Sequence, residues 1–234
     1  MPQYLVVTCE HGGNRVPPRY RRLFRGLRAP LKTHRGYDFG ALRMARQLSA
    51  SFAAPLVAST VTRLLVDLNR SVGHPRLHVE AVRSLSREGR QQILADHYLP
   101  YRTRVENLVG HAIARGRRVV HISSHSFTPE LNGKVRTADV GLLYDPARPG
   151  ERHLSARWKA ALARAAPQLR VRRNYPYAGT DDGFMPYLRR RFRPADYVGI
   201  EIEINQEIIV GAPRRWTEVR ATLIDSLRVA LAHR

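Results

Sequence analysis

The sequence predicts an α/β domain, a three-layer sandwich with a central mixed, mostly parallel sheet flanked by helices. Three observations carry this prediction. Apolar, β-branched runs such as Val6-Val7, Val119-Val120 and Val198 to Ile204 have the character of buried strands. Stretches with helical spacing separate those runs, which is the pattern of strands joined by crossover helices. Several runs also end in polar clusters, at His11, Asp67 to Arg70, His125, and Glu201 with Glu203. That is expected when one edge of a sheet forms a reactive site. With no repeat and no low-complexity linker in 234 residues, one domain spanning 1–234 is the simplest organisation.

Taken in order, Val6-Val7-Thr8-Cys9 reads as a buried strand that breaks into the turn Glu10-His11-Gly12-Gly13-Asn14. Val16-Pro17-Pro18 leads into a short basic helical stretch ending near Phe24, since proline suits the start of a helix but not its interior. Asp38 is placed to cap the next helix, whose Leu42, Ala45, Leu48 and Phe52 fall at helical spacing. Pro55 to Val66 alternates toward a strand and runs into Asp67-Leu68-Asn69-Arg70. Arg87 to Gly116 is mostly helix, with Leu94, Tyr98, Tyr101, Val105 and Leu108 on one stripe and Pro100 starting, breaking or kinking it. Arg118 to Ser123 and Val140 to Tyr144 are strands, with Leu169 to Arg173 as a further candidate. Glu151 to Ala166 and Asp181 to Phe192 read as helices, with Pro186 near the start of the second. Tyr197 to Ile204 alternates strictly as a strand, and an amphipathic helix carrying Trp216, Val219, Leu223 and Leu227 follows.

Composition excludes several classes. No apolar run approaches the ~20 residues of a membrane span, and Met1-Pro2-Gln3-Tyr4 lacks the form of a signal peptide, so a cytoplasmic location is expected. The single cysteine, Cys9, rules out an internal disulfide and any multi-cysteine zinc site. A strand-end cysteine is a candidate nucleophile, but such a residue is more commonly a small buried hydrophobe. The formal charge of +21 is nearly all arginine, since Lys32, Lys134 and Lys159 are the only lysines. Charge of this size favours phosphate contacts. The arginines are nevertheless spread over nearly every segment without a basic tail. The expectation is a small anionic substrate rather than nucleic acid.

The polar clusters supply the chemistry. His11 and His125, from different strand ends, can bind one divalent metal, and imidazoles with oxygen ligands and an open position suit hydrolytic zinc. The plainer reading is that each histidine makes a local hydrogen bond. Glu201 and Glu203 share one strand face, opposite Ile200, Ile202 and Ile204, so one of them can serve as general base. An exposed acidic stripe on an edge strand is the alternative. Arg63, Asn69 and Arg70 supply two guanidinium groups and a carboxamide suited to a substrate carboxylate, with Asp67 positioned to orient one of them.

Together these stretches resemble the N-formylglutamate amidohydrolase family. The matching segments are Cys9 to Pro17, His34 to Gly40, Asp67 to Arg70, His125 to Pro129, Tyr175-Pro176-Tyr177 with Asp182-Gly183, and Ile200 to Gln206. The family is related to the zinc carboxypeptidases and aspartoacylases, and the resemblance implies their fold. It also implies metal-dependent hydrolysis of the amide of an N-acyl amino acid such as N-formyl-L-glutamate. By similarity, His11 and His125 fall at the histidine ligands of zinc. Asn69 and Arg70 match a pair that holds the substrate carboxylate, with Arg63 near an additional substrate arginine. Glu203 is the expected base and Glu201 its alternate. Asn14 stands where the relatives carry a ligand glutamate, which leaves the third ligand open between Asn14, Glu10 and another carboxylate. A different N-acyl-amino-acid deacylase or small carboxypeptidase on the same scaffold, or a basic nucleic-acid binder, are the alternative functions.

Overall fold

The order of the sheet follows from its longest strands. In a computed structural model, which describes residues 2–232, eight strands follow one another. They are β1 (Gln3–Cys9), β2 (Leu56–Ala58), β3 (Arg118–Phe127), β4 (Glu130–Leu131), β5 (Lys134–Val135), β6 (Val140–Leu143), β7 (Val171–Arg173) and β8 (Tyr197–Asn205). Met1, the first residue of the start read above, lies outside the described residues, as do His233 and Arg234.

Six strands form one sheet in the order β2-β1-β3-β8-β6-β7, while β4 and β5 pair as a separate hairpin. β2, β1, β3 and β8 are mutually parallel, and β6 runs antiparallel to β8 and parallel to β7. Parallel neighbours need crossover connections. The helix Ala41–Phe52 supplies the one from β1 to β2, and the helical stretch Arg87 to Ala114 the one from β2 to β3. The predicted mixed, mostly parallel sheet flanked by helices is thus the observed architecture.

Strand alternation divides the core into two layers. On one side Ile200, Ile202 and Ile204 of β8 pack with Met44, Leu48, Trp158, Leu162, Trp216 and Leu223, carried by the helices Ala41–Phe52, Pro149–Ala165 and Pro213–Ala232. On the other, Val6, Val119 and Tyr197 pack with Phe24, Tyr101, Val105, Phe184 and Leu188. No helix among the described residues is long and apolar enough to cross a membrane.

Two local expectations and one alternative are revised. The strand expected over Pro55 to Val66 is confined to Leu56–Ala58, because the chain then pairs with the turn after β1 instead of with a strand. Asp38 does not cap the helix Ala41–Phe52. Gly40 holds that position, at a left-handed φ of 72°, and the Asp38 carboxylate points elsewhere. β8 is an interior strand, so Glu201 and Glu203 are buried and do not form an exposed stripe. Pro100 meets its expectation: it sits in the first turn of the helix Leu99–Ala114, just after a five-residue π-helical segment, Leu94–Tyr98.

One glycine of β6 decides what stands beside β8. Gly141 pairs with Glu203, and a Cβ added there would overlap the Tyr175 carbonyl oxygen. Its bare Cα therefore seats the Tyr175–Tyr177 segment against the sheet. Gly141→Ala should destabilise the protein by about 1–3 kcal/mol, lowering Tm by roughly 2–10 °C in a thermal melt. An unchanged Tm would mean that the segment moves aside without loss.

Candidate active site

The double glycine after β1 is a packing requirement. A Cβ on Gly12 would stand 2.8 Å from the Ser59 carbonyl oxygen, and one on Gly13 2.8 Å from that of Thr60. With neither Cβ present, the turn docks on the chain leaving β2, and the Gly12 and Arg15 amides donate to Ser59 and Thr60 at 2.9 Å. The docking holds His11 at the end of β1. It turns Asn14 outward, where its exposed carboxamide donates to the Leu31 carbonyl at 3.0 Å. The structure does not bring Asn14 to His11's other partners.

The carboxylate that meets the histidines is Asp38. Its backbone N–H donates to the His11 carbonyl at 2.9 Å, which carries the side chain over the end of β1. Asp38 Oδ2 lies 2.9 Å from His125 Nδ1 and 3.3 Å from His11 Nδ1, and all three side chains are buried. The far nitrogen of each ring faces a second buried carboxylate. His11 Nε2 is 2.7 Å from Asp67 Oδ1, and His125 Nε2 is 3.1 Å from Glu10 Oε2 and 3.0 Å from Ser123 Oγ. Glu10 in turn accepts from Ser123 Oγ at 2.5 Å and Tyr101 Oη at 2.8 Å. Glu10 thus bonds the far nitrogen of His125 and stands outside the group that His11 and His125 form with Asp38.

Arg63 ties the cluster from outside. Its Nη1 donates to Asp38 Oδ1 at 3.1 Å, and its Nε and Nη2 donate to Asp67 Oδ2 at 3.1 and 2.8 Å. Expected at the substrate, it is instead engaged by two carboxylates of the site. Arg70 bonds none of these groups: its Nη1 donates to the Asp182 carbonyl at 2.5 Å, and its own carbonyl accepts from Tyr98 Oη. Asn69 bridges two elements, donating to Glu201 Oε2 at 3.3 Å and accepting from the Phe184 amide at 2.7 Å.

Register places the remaining acids. Ser123 of β3 pairs with Glu201, and His125 with Glu203. Glu201 Oε2 stands 3.8 Å from His125 Nε2. Glu203 differs from every other acid here, because its Oε2 is buried and has no hydrogen-bond partner.

The electrostatics follow from burial and neighbours. Burial opposes ionisation of Asp38, but His11, His125 and Arg63 outweigh it and hold its carboxyl well below the usual range. The same contest keeps Asp67 ionised beside Arg63 and His11, and Glu10 ionised beside His125 and Ser123. His125 is raised, because Asp38 and Glu10 outweigh the effect of burial. Glu203 has no such partner, and burial pushes it up to about 8. His121 is lowered to about 4, chiefly by burial, and is bracketed by Thr8 Oγ1 and Tyr197 Oη at 2.8 Å each. Cys9 faces the other core layer, and burial pushes its thiol up, away from nucleophile character.

His11, Asp38 and His125 form a buried group whose ligand atoms all lie within 4.8 Å of one another. Two imidazoles and a carboxylate are a donor set compatible with a catalytic divalent metal. Glu10 and Asp67 supply the outer carboxylates that fix the tautomer and aim of ligating histidines. Sequence reasoning missed Asp38, which it read as a helix cap, and Tyr101, which it read only as part of an apolar stripe. The one available signal for Asp38 was its place inside the His34 to Gly40 segment.

Comparison with known proteins bears on the family and the fold. A family model described as N-formylglutamate amidohydrolase matches residues 3–210. Gene product Atu2144 of Agrobacterium tumefaciens has a solved structure that is 30% identical, with a TM-score of 0.84 over 97% of this chain and 90% of its own. The N-formylglutamate amidohydrolase of Ralstonia eutropha JMP134 is 19% identical, with a TM-score of 0.71 over 99% of this chain and 94% of its own, a likeness of fold. Among curated proteins none matches. With most of its length matched by the family model, the chain belongs to the N-formylglutamate amidohydrolase family, whose members are hydrolases of amide bonds.

Proposed function

We propose that the protein hydrolyses the amide of an N-acyl amino acid, N-formyl-L-glutamate being the substrate its family favours, and that His11, Asp38 and His125 would hold a divalent metal, zinc by our reading, for that reaction. The observation that carries this reading is the buried His11–Asp38–His125 group with the unpartnered Glu203 carboxyl paired beside it. Charge supports it as well. Three carboxylates bond the two rings, and two of them, Asp38 and Asp67, also bond one guanidinium, Arg63. With both imidazoles neutral, two negative charges remain, which matches a divalent cation. Such an ion, when bound, supplies Lewis acidity toward an acyl carbonyl and eases ionisation of water.

The chain's own groups do the rest. Glu203 Oε2 takes the proton of the attacking water and returns it to the leaving nitrogen. With no hydrogen-bond partner to give up, its carboxyl is free to accept a proton and pass it on, and burial, which pushes it up to about 8 in the absence of a bound ion, favours uptake of that proton. Glu201 suits this role less, because Asn69 already occupies its Oε2. Arg63 fixes the aim of Asp38 and Asp67, and both imidazoles are held in one tautomer by Asp67 and Glu10.

Replacing Glu203 by Gln should lower kcat by at least about 100-fold with KM within a few-fold, read as formate release from N-formyl-L-glutamate. Full activity in that variant would remove Glu203 as the base. A panel varying the acyl group and the amino acid separates formyl hydrolysis from that of longer acyl groups or of peptides.

Asp67→Asn should weaken metal affinity about 10–100-fold, measured by competition with a chromogenic chelator. Unchanged affinity would mean that the partner of His11 Nε2 does not act on the metal.

Glu203 also predicts a pH dependence of stability in the chelator-treated protein. Its folded pKa of about 8 lies above the ordinary carboxyl value of 4.5, so the unfolded chain ionises first as pH rises. The stability contributed by the neutral carboxyl is complete below 4.5 and is lost progressively up to about 8. Glu203→Gln should therefore melt higher than the parent at pH 8, by a margin that shrinks toward pH 4.5. A constant difference across that range would show that the carboxyl is not held neutral.

A further inference from the structure

Both arginines that the sequence offers for the substrate are engaged within the protein, Arg63 through its whole fork and Arg70 through one nitrogen. Arg63 gives its fork to Asp38 and Asp67, and Arg70 gives Nη1 to the Asp182 carbonyl. We propose that Arg136 is the residue that binds the side-chain carboxylate of the amino acid whose amide is cleaved. This rests on the N-acyl-amino-acid reading above and names the group that recognises the acid.

Arg136 follows the β4–β5 hairpin, whose tip, Asn132-Gly133, takes left-handed φ values of 53° and 73°. Two backbone contacts pin it over the ends of β3 and β8. Its N–H donates to the Pro129 carbonyl at 2.7 Å, and its carbonyl accepts from Asn205 Nδ2 at 3.3 Å. Its guanidinium lies over the rings of Phe127 and Tyr177, 5.8 and 5.0 Å from their centroids. Phe127 pairs with Asn205, two residues outward of the His125–Glu203 pair on the same face. Arg136 thus stands roughly 7 Å further along the strands than the groups proposed to do the chemistry.

Stacking on aromatic rings uses the face of a guanidinium and leaves its N–H edge for acceptors. That edge is unfilled. Arg136 Nη1 is buried with no hydrogen-bond partner, and no acidic side chain among the described residues pairs with Arg136. A desolvated cationic donor without an acceptor is costly, and a carboxylate satisfies it with charge-assisted bonds. Tyr175 completes this wall: its ring meets Phe127 edge-on, its hydroxyl accepts from the Thr137 amide, and its carbonyl passes Gly141 beside Glu203. The α-carboxylate adjoins the scissile nitrogen through a single carbon, whereas the side-chain carboxylate lies further along the molecule. The outward position of Arg136 matches the latter.

The test compares the metal-loaded parent with Arg136→Met, which keeps the apolar stem, and Arg136→Lys, which keeps the charge but not the fork. The substrates are N-formyl-L-glutamate and N-formyl-L-glutamine. Arg136→Met should lower the kcat/KM ratio of glutamate over glutamine derivative by at least about 30-fold, mainly through KM, with partial recovery in Arg136→Lys. A ratio that does not change, whether or not both activities fall, overturns the assignment. Calorimetric titration with glutarate, a dicarboxylate that needs no cleavage, gives a second reading on folded variants. Binding by the parent that Arg136→Met weakens supports the assignment, and equal or absent binding counts against it. If the parent cleaves neither formyl substrate, the proposed function fails and the glutarate titration alone decides the role of Arg136.

Discussion

Asp38 Oδ2, shared between the Nδ1 atoms of two imidazoles, is the contact on which the site depends. A carboxylate this deeply buried is expensive to ionise unless several donors face it. Asp38 has them, with His11 and His125 on one oxygen and Arg63 on the other. Each of those donors is held in turn: His11 by Asp67, His125 by Glu10, and Arg63 by Asp67. The loop that carries Asp38, the turn after β1, the segment after β2 and strand β3 are thereby locked to one another through side chains. The lock also sets the aim of the rings, because a histidine with one nitrogen engaged by a carboxylate presents the other in a fixed direction.

Glu203 obeys the opposite rule. Its neighbours on the face are either engaged elsewhere, as Glu201 is by Asn69, or stripped of a side chain, as Gly141 is. The antiparallel β6 supplies that bare neighbour, and the room is taken by the Tyr175 backbone, which seats no donor on Oε2. The fold thus satisfies Asp38, Asp67, Glu10 and Arg63 together and leaves one acid a strand away unsatisfied. Stability and reactivity are separated between adjacent strands. An unpartnered carboxyl is a liability to the folded chain, and an acid able to trade a proton near neutral pH has few other ways to arise.

The sheet was legible because strand periodicity is local. Strict alternation from Tyr197 to Ile204 fixes which face Glu201 and Glu203 share, and the apolar run before His125 fixes where β3 passes. His11, His125 and Glu203 could be singled out on that basis as chemically out of place at strand ends. Asp38 could not. It reaches His11 from 27 residues away and His125 from 87, through a loop whose path no spacing rule encodes. Locally it looks like a helix cap, a role that Gly40 takes. Asn14 misled for the converse reason: its spacing from His11 matches a ligand motif, but the docking of Gly12 and Gly13 on Ser59 and Thr60 turns it outward. The arginines were legible as a class and misassigned as individuals. Which guanidinium is consumed by a buried carboxylate and which keeps an open edge is decided only when distant segments meet.

The excess positive charge then acquires a physical place. The interior cluster is rich in carboxylates, while the chain as a whole carries +21. Arg63 stands between the two regimes: its fork faces Asp38 and Asp67, and its charge, with those of Arg35 and Arg136, adds to burial in keeping His34 below the ordinary histidine range. A site with a carboxylate-rich floor and arginines around it attracts a cation to its interior and an anion to its outer side. An acyl amino acid fits that order of charges, because a side-chain carboxylate can stay with an outer arginine such as Arg136 while the neutral amide meets the carboxylate-rich floor. A phosphate backbone does not, since it would bring its own charge to the carboxylates. The sign of the floor, more than the total on the surface, argues for a small acid as the partner of this basic chain.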